Sequence, residues 1–116
     1  MIVIYTDGSA NANSKSQGYR LGGIGVVFMI DGEVKLTISK GYKNTKTGRM
    51  ELTAALTALQ TLDKSSKAVI YCDSEYVVKS FTENRIDKWA LEGWTCQNAD
   101  LMKKLYDEFY KFKPGQ

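Results

Sequence analysis

A chain of 116 residues with 43% apolar and 25% charged side chains has the size and balance of one globular domain. Two cysteines and no histidine exclude a disulfide framework, a four-cysteine metal site, a Ser-His-Asp triad and every histidine-containing zinc site. A formal charge of +3 mildly favours an anionic partner, and no apolar run approaches the ~20 residues that span a bilayer.

In chain order, residues 2–7 (Ile-Val-Ile-Tyr-Thr-Asp) predict a short buried strand. Gly8, Ser9 and the polar run from Asn11 to Gln17 predict a loop. Ile24 to Ile30 is almost continuously apolar and stops at Asp31-Gly32, a pair suited to a two-residue hairpin turn. Val34, Leu36 and Ile38 alternate with polar residues, which predicts a half-exposed returning strand. Gly41 to Gly48 reads as a loop. Leu52, Ala55, Leu56, Leu59 and Leu62 then follow helical spacing, and the helix closes near Asp63. Ala68 to Cys72 is a fourth strand. Asp73 and Ser74 suit the cap of a short helix holding Tyr76, Val77, Val78 and Phe81. A further helix holds Ile86, Trp89 and Leu91 and ends near Gly93. Asn98 is the expected cap of a last helix, with Leu101, Leu105, Phe109 and Phe112 on one face, stopped by Pro114-Gly115.

The order β-β-β-α-β-α-α-α predicts an α/β fold: a mixed sheet, made of an antiparallel hairpin of strands plus one parallel strand, with helices packed on it. A right-handed crossover sets strand 68–72 parallel to strand 2–6. Both cysteines read as reduced, buried thiols. The N-terminus lacks the basic segment of a secretory signal, so the expected compartment is the cytosol.

One pattern carries chemistry. The first and fourth strands end alike, Ile4-Tyr5-Thr6-Asp7-Gly8 and Ile70-Tyr71-Cys72-Asp73-Ser74. Parallel neighbours would set Asp7 beside Asp73 at their carboxyl ends, where open α/β sheets bind ligands. Singly, each aspartate also suits a turn or a helix cap. Glu51 falls at the margin of the leucine stripe, in what the periodicity makes a first helical turn, and is expected to point toward the sheet. Three convergent acids repel unless a cation sits among them. Mg²⁺, which binds carboxylates, water and phosphate oxygens, suits that place, and two such ions can drive phosphodiester cleavage.

With these residues in view, Tyr5-Thr6-Asp7-Gly8-Ser9, Gly48-Arg49-Met50-Glu51-Leu52, Asp73-Ser74-Glu75-Tyr76-Val77 and Trp89-Ala90-Leu91-Glu92-Gly93-Trp94 resemble, in order and across essentially the whole chain, type 1 ribonuclease H. The resemblance implies an endonuclease that cuts the RNA strand of RNA–DNA hybrids with two Mg²⁺ ions, Mn²⁺ being a substitute. It implies catalytic and metal-binding roles for Asp7, Glu51 and Asp73, with the backbone of Gly8 at the metal. Glu51 would also lie near the RNA 2′-hydroxyl, the group that distinguishes RNA from DNA. Substrate contacts are implied at Ser9, Asn13, Arg49, Ser74, Asn98 and Trp89. Asn13 would reach the minor groove and Asn98 a DNA phosphate; Trp89 suits either a DNA-side contact or the core.

Three departures stand out. Thr47 and Gly48 replace two asparagine-like residues, which removes a base contact. Between Asn84 and Asn98 only Arg85 and Lys88 are basic, against Asp87 and Glu92, so DNA would be gripped weakly there. The family pattern continues with a fifth strand, a histidine-bearing loop, a fourth metal-binding aspartate and a final helix, whereas this sequence is given to Gln116. It therefore reads as a single domain, 1–116, that is C-terminally incomplete. Such a domain is expected to cleave slowly or not at all, with Mn²⁺ helping more than Mg²⁺. It is also expected to expose a strand edge that self-associates or accepts a complementing C-terminal segment. A hybrid-binding module that cuts poorly, and the ribonuclease H domain of a reverse transcriptase, are the alternatives.

Overall fold

The computed structural model describes residues 1–10, 21–43 and 45–112. Among these residues four strands and four helices follow in the predicted order: β1 (Ile2–Ala10), β2 (Leu21–Ile30), β3 (Glu33–Lys43), α1 (Thr47–Thr61), β4 (Ala68–Cys72), α2 (Glu75–Thr82), α3 (Arg85–Leu91) and α4 (Ala99–Phe109). Asp31 and Gly32 both have positive φ, 51° and 85°, as the tight β2–β3 turn requires. The sheet order is β3-β2-β1-β4, with β1 antiparallel to β2 and parallel to β4.

Two strands outrun their prediction. β1 continues through Gly8 and Ser9, which pair with Ile24 and Gly23 of β2 instead of opening a loop. β3 keeps Gly41, Tyr42 and Lys43, which pair with Gly23, Gly22 and Leu21. In both cases the ladder to β2 overrides the loop preference of the glycines. The expected loop from Asn11 to Gln17, with Asn13, lies outside the described residues.

Helix α1 is buried on two sides. Met50, Ala54 and Ala58 pack on Ile4, Ile24, Val26 and Phe28 of the sheet. The leucine face, with Leu52, Ala55 and Leu56, turns instead toward Val77, Ile86, Met102 and Leu105 of α2, α3 and α4. The sequence pattern located the larger face; the sheet-facing one is written mostly in alanines, whose small side chains let the helix lie close to the strands. Glu51 lies beyond the first turn, which contains no acid because the helix begins at Thr47.

The approach is tightest at Gly8. A Cβ there would stand 2.3 Å from the Met50 carbonyl carbon and 2.6 Å from the Glu51 backbone nitrogen. Neither backbone atom can move without shifting the helix. Gly8→Ala is therefore expected to lower stability by about 3 kcal/mol in urea denaturation, the cost of overpacking a tight core. Gly25→Ala, in the same sheet with nothing within 4 Å of the added carbon, is expected to change it by less than about 1 kcal/mol.

Candidate active site

The parallel register Tyr5↔Tyr71 and Thr6↔Cys72 sets Asp7 level with Asp73. Asp73 follows the end of β4 as expected, whereas Asp7 stays inside β1, paired with Gly25, because the ladder to β2 carries that strand on to Ala10. The Tyr5 and Tyr71 rings stack on the open face at 5.3 Å, inclined by 17°, and hold the register from outside. Asp7 and Asp73 are exposed and Glu51 is half-buried. All three line one cleft of about 50 Å³ with Thr6, Gly8, Cys72 and Ser74. Asp7 and Asp73 also border a larger hollow on the open face, beside the tyrosine pair.

Ser74 joins this cleft to the next helix. Its hydroxyl accepts from the Val77 N–H at 3.3 Å, capping α2, and donates to the Glu51 carboxylate. The acids share the cleft without closing into a cage: among the described residues, no three His, Cys, Asp or Glu side chains form a ready-made metal set. Unscreened carboxylates repel, and Ser74 already engages one Glu51 oxygen. The donor chemistry nonetheless suits a hard cation, because Mg²⁺ needs only one or two carboxylates beside water and phosphate oxygens. The Thr6 hydroxyl, buried at the cleft and without a hydrogen-bond partner, adds an oxygen there.

A second, polar pocket of about 450 Å³ opens on the other side of Glu51. It is lined also by Lys46, Gly48, Arg49, Tyr76, Gln97 and Asn98. Asn98 stands at the start of α4 as expected, but with φ 55° and no side-chain cap bond. Its amide works across the pocket instead. Oδ1 accepts from Arg49 at 3.3 Å, and Nδ2 donates to the Tyr76 hydroxyl at 3.2 Å. Arg49 in turn donates to both oxygens of Asp100, at 3.0 and 2.8 Å. Nothing local in the sequence announces this pair, whose members are 51 residues apart; Asp100 read only as a helix residue.

The other expected contacts scatter. Ser9 is exposed on β1. Trp89 is half-buried against the core of α1, α2 and α4, on the packing side of its two readings. The cysteines are unbridged but half-buried rather than buried, and burial pushes the Cys96 thiol up.

The family comparisons agree with one another. The RNase H family pattern matches residues 1–114. A ribonuclease H of Lachnoclostridium phytofermentans is 40% identical over 114 residues, covering 90% of this chain and 70% of that protein. A ribonuclease H of Rippkaea orientalis is 35% identical, covering 91% and 65%. The chain thus spans about two thirds of the length of these relatives. Among solved structures, a foamy viral protease–reverse transcriptase in complex with an RNA/DNA hybrid aligns with a TM-score of 0.83 at 20% identity, over 95% of this chain and 16% of that one. An N-terminal RNase H domain from Mycobacterium tuberculosis aligns at 0.73 and 17%, over 96% and 75%. The mixed sheet with its helices is the ribonuclease H-like fold.

The Arg49 guanidinium holds the Asp100 carboxyl well below its usual range, at about 2. A lowered folded-state pKa stabilises the fold above the ordinary carboxylate range, and that contribution is lost as pH falls from about 4 through 2. Both side chains are partly solvated, so the effect is less than about 1 kcal/mol. Asp100→Asn is expected to flatten the acid limb of a urea-midpoint profile between pH 5 and pH 2, with little change at pH 7 beyond that amount.

Proposed function

The chain belongs to the ribonuclease H family, and on that premise we propose that it hydrolyses the RNA strand of RNA–DNA hybrids at the Asp7–Glu51–Asp73 cleft. The observation that carries the proposal is three acids lining one cleft where β4 ends beside β1. Carboxylates alone repel a polyanionic backbone, so this arrangement serves phosphate chemistry only with divalent cations between acid and substrate. Bound there, two Mg²⁺ ions (Mn²⁺ in their place) would activate a water and neutralise the leaving oxygen.

The chain's own residues divide the remaining work. Asp7 offers oxygens from within β1 and Asp73 from just past the end of β4, and Glu51 offers its carboxylate from α1, oriented by Ser74. In hydrolysis the water oxygen adds to phosphorus, one phosphorus–oxygen bond breaks, and the departing oxygen takes up a proton. Glu51 borders both the acid cleft and the polar pocket. A backbone crossing it would meet Asn98, Arg49 and Lys46 on the far side, a setting for a DNA phosphate. The RNA 2′-hydroxyl would then lie within reach of Glu51 and account for strand choice.

Incubation of a labelled RNA–DNA hybrid with the purified chain in Mg²⁺ and in Mn²⁺ tests this reading. Cleavage of the RNA strand is expected in at least one ion, with duplex DNA untouched. Asp7→Asn is expected to lower turnover by at least about 100-fold, equivalent to ~3 kcal/mol of lost transition-state stabilisation. Cleavage that survives chelation of divalent ions would contradict the proposal. Hybrid binding without cleavage in either ion would favour the binding-module alternative.

A further inference from the structure

Taking the chain as a hybrid nuclease, on which this inference rests, we propose that Arg49 and Asp100 are positioning residues. Asp100 braces Arg49 from outside the polar pocket, and Arg49 turns the Asn98 amide so that its Nδ2–H, and not its oxygen, faces an incoming DNA phosphate. On its charge alone, Arg49 would be one more cation for the phosphate to meet; its hydrogen bonds give it another task. Nη1 donates to both Asp100 Oδ1 and Asn98 Oδ1, and Nη2 donates to Asp100 Oδ2. Arg49 and Asn98 are half-buried and line the pocket, whereas Asp100 is exposed and is not among the described residues that line it. The two-pronged bond to Asp100 therefore holds the guanidinium from outside, in a fixed orientation.

A side-chain amide can offer a neighbour its oxygen or, after a half-turn, its nitrogen, and the neighbours decide which. The Tyr76 hydroxyl both donates and accepts, so it fits either orientation. A guanidinium only donates, so the Asn98 atom that faces Arg49 has to be the oxygen. Nδ2 then falls on the other side, where it donates to the Tyr76 hydroxyl at 3.2 Å. Its second hydrogen meets no acceptor among the described residues. The nitrogen is open on the side of Gly48, where a Cβ would stand 3.8 Å from it and 3.6 Å from the Tyr76 ring. Asn98 itself is pinned at the start of α4, its φ at 55° and its carbonyl accepting from the Met102 N–H at 2.9 Å.

Without the Arg49 donor the amide would favour the opposite orientation. Tyr76 donates to the Gln97 carbonyl at 3.5 Å, a long bond, and would gain by donating to Asn98 Oδ1 instead. The turned amide would set an oxygen where the phosphate needs a donor. Apparent affinity then falls in proportion to the fraction of chains whose amide still points the right way. Asp100 offers a phosphate nothing directly, and as an anion it repels one. Its contribution is indirect: a braced guanidinium keeps the amide turned.

Two measurements test the proposal, and the first involves no nucleic acid. In ¹⁵N-labelled protein titrated with inorganic phosphate, the Asn98 Nδ2 protons are expected to shift along a saturable curve, and Arg49→Met is expected to abolish that response. The second is the fluorescence anisotropy of a labelled RNA–DNA hybrid in the presence of a chelator, with near-UV circular dichroism to show that each variant is folded. Arg49→Met is expected to weaken binding about fivefold, but by less than about twofold once Asn98 is alanine. Asp100→Asn is expected to weaken binding about twofold although it removes an anion. Equal losses from Arg49→Met in both backgrounds, or tighter binding by Asp100→Asn, would make Arg49 a direct phosphate contact and overturn the proposal. So would a wild-type Asn98 amide that does not respond to phosphate. A chain that binds no hybrid but shows the phosphate response and its loss in Arg49→Met would contradict the nuclease reading and support the positioning roles.

Discussion

The backbone of α1 rests on the backbone of β1 at Gly8, with no side chain between them. Everything at the site depends on that contact. It sets the height of the helix above the sheet, and so the reach of Glu51 toward the ends of β1 and β4. It also explains the helix composition. A helix this close to strands must present small residues, and Ala54 and Ala58 are both fully buried against them. The larger Leu52 and Leu56 are left to hold α2, α3 and α4. One helix thereby ties two apolar clusters together, and a displacement at Gly8 would be felt in both.

Electrostatics divide the surface around Glu51 into two unlike neighbourhoods. On one side are Asp7 and Asp73, acids whose cleft is lined by no cationic side chain among the described residues. On the other is a chain of hydrogen bonds from Asp100 through Arg49 and Asn98 to Tyr76. Asp100 engages both terminal nitrogens of Arg49, so the pocket presents Lys46 and the Asn98 amide around a neutralised guanidinium. A site for a nucleic-acid backbone needs both kinds of surface: one that gathers cations for chemistry, and one that grips a phosphate without them.

Much of this was legible because local chemistry and global fold agree. Asp31-Gly32 announces its turn since both residues tolerate positive φ. The repeated Ile-Tyr-x-Asp of β1 and β4 announces their juxtaposition, since parallel neighbours in register set matching residues side by side, although β1 runs on past Asp7 to Ala10. The family motifs added roles that spacing alone leaves open. What stayed hidden depends on contacts distant in sequence. Gly8 and Ser9 look like loop formers, but β2 holds them in a ladder. Asn98 looks like a cap, yet Arg49 and Tyr76 take its side chain. Trp94 adopts φ 62°, rarely accessible to a bulky residue; its N–H is held by the Trp89 carbonyl at 2.9 Å and its ring by Tyr106 edge-on. Ser74 served in both capacities, as the expected cap and, unforeseen, as the donor to Glu51.

The central claim is that Asp7, Glu51 and Asp73 act as one cation-binding unit although they are not caged in advance. Carboxyl-detected NMR during a Mg²⁺ titration, without substrate, tests it most directly. The account predicts that the side-chain carboxyl resonances of these three residues move together along one saturable curve, and that Asp7→Asn weakens the response of the other two. Independent titration of the three, or a saturable response centred on other acids such as Asp100 or Glu108, would contradict it.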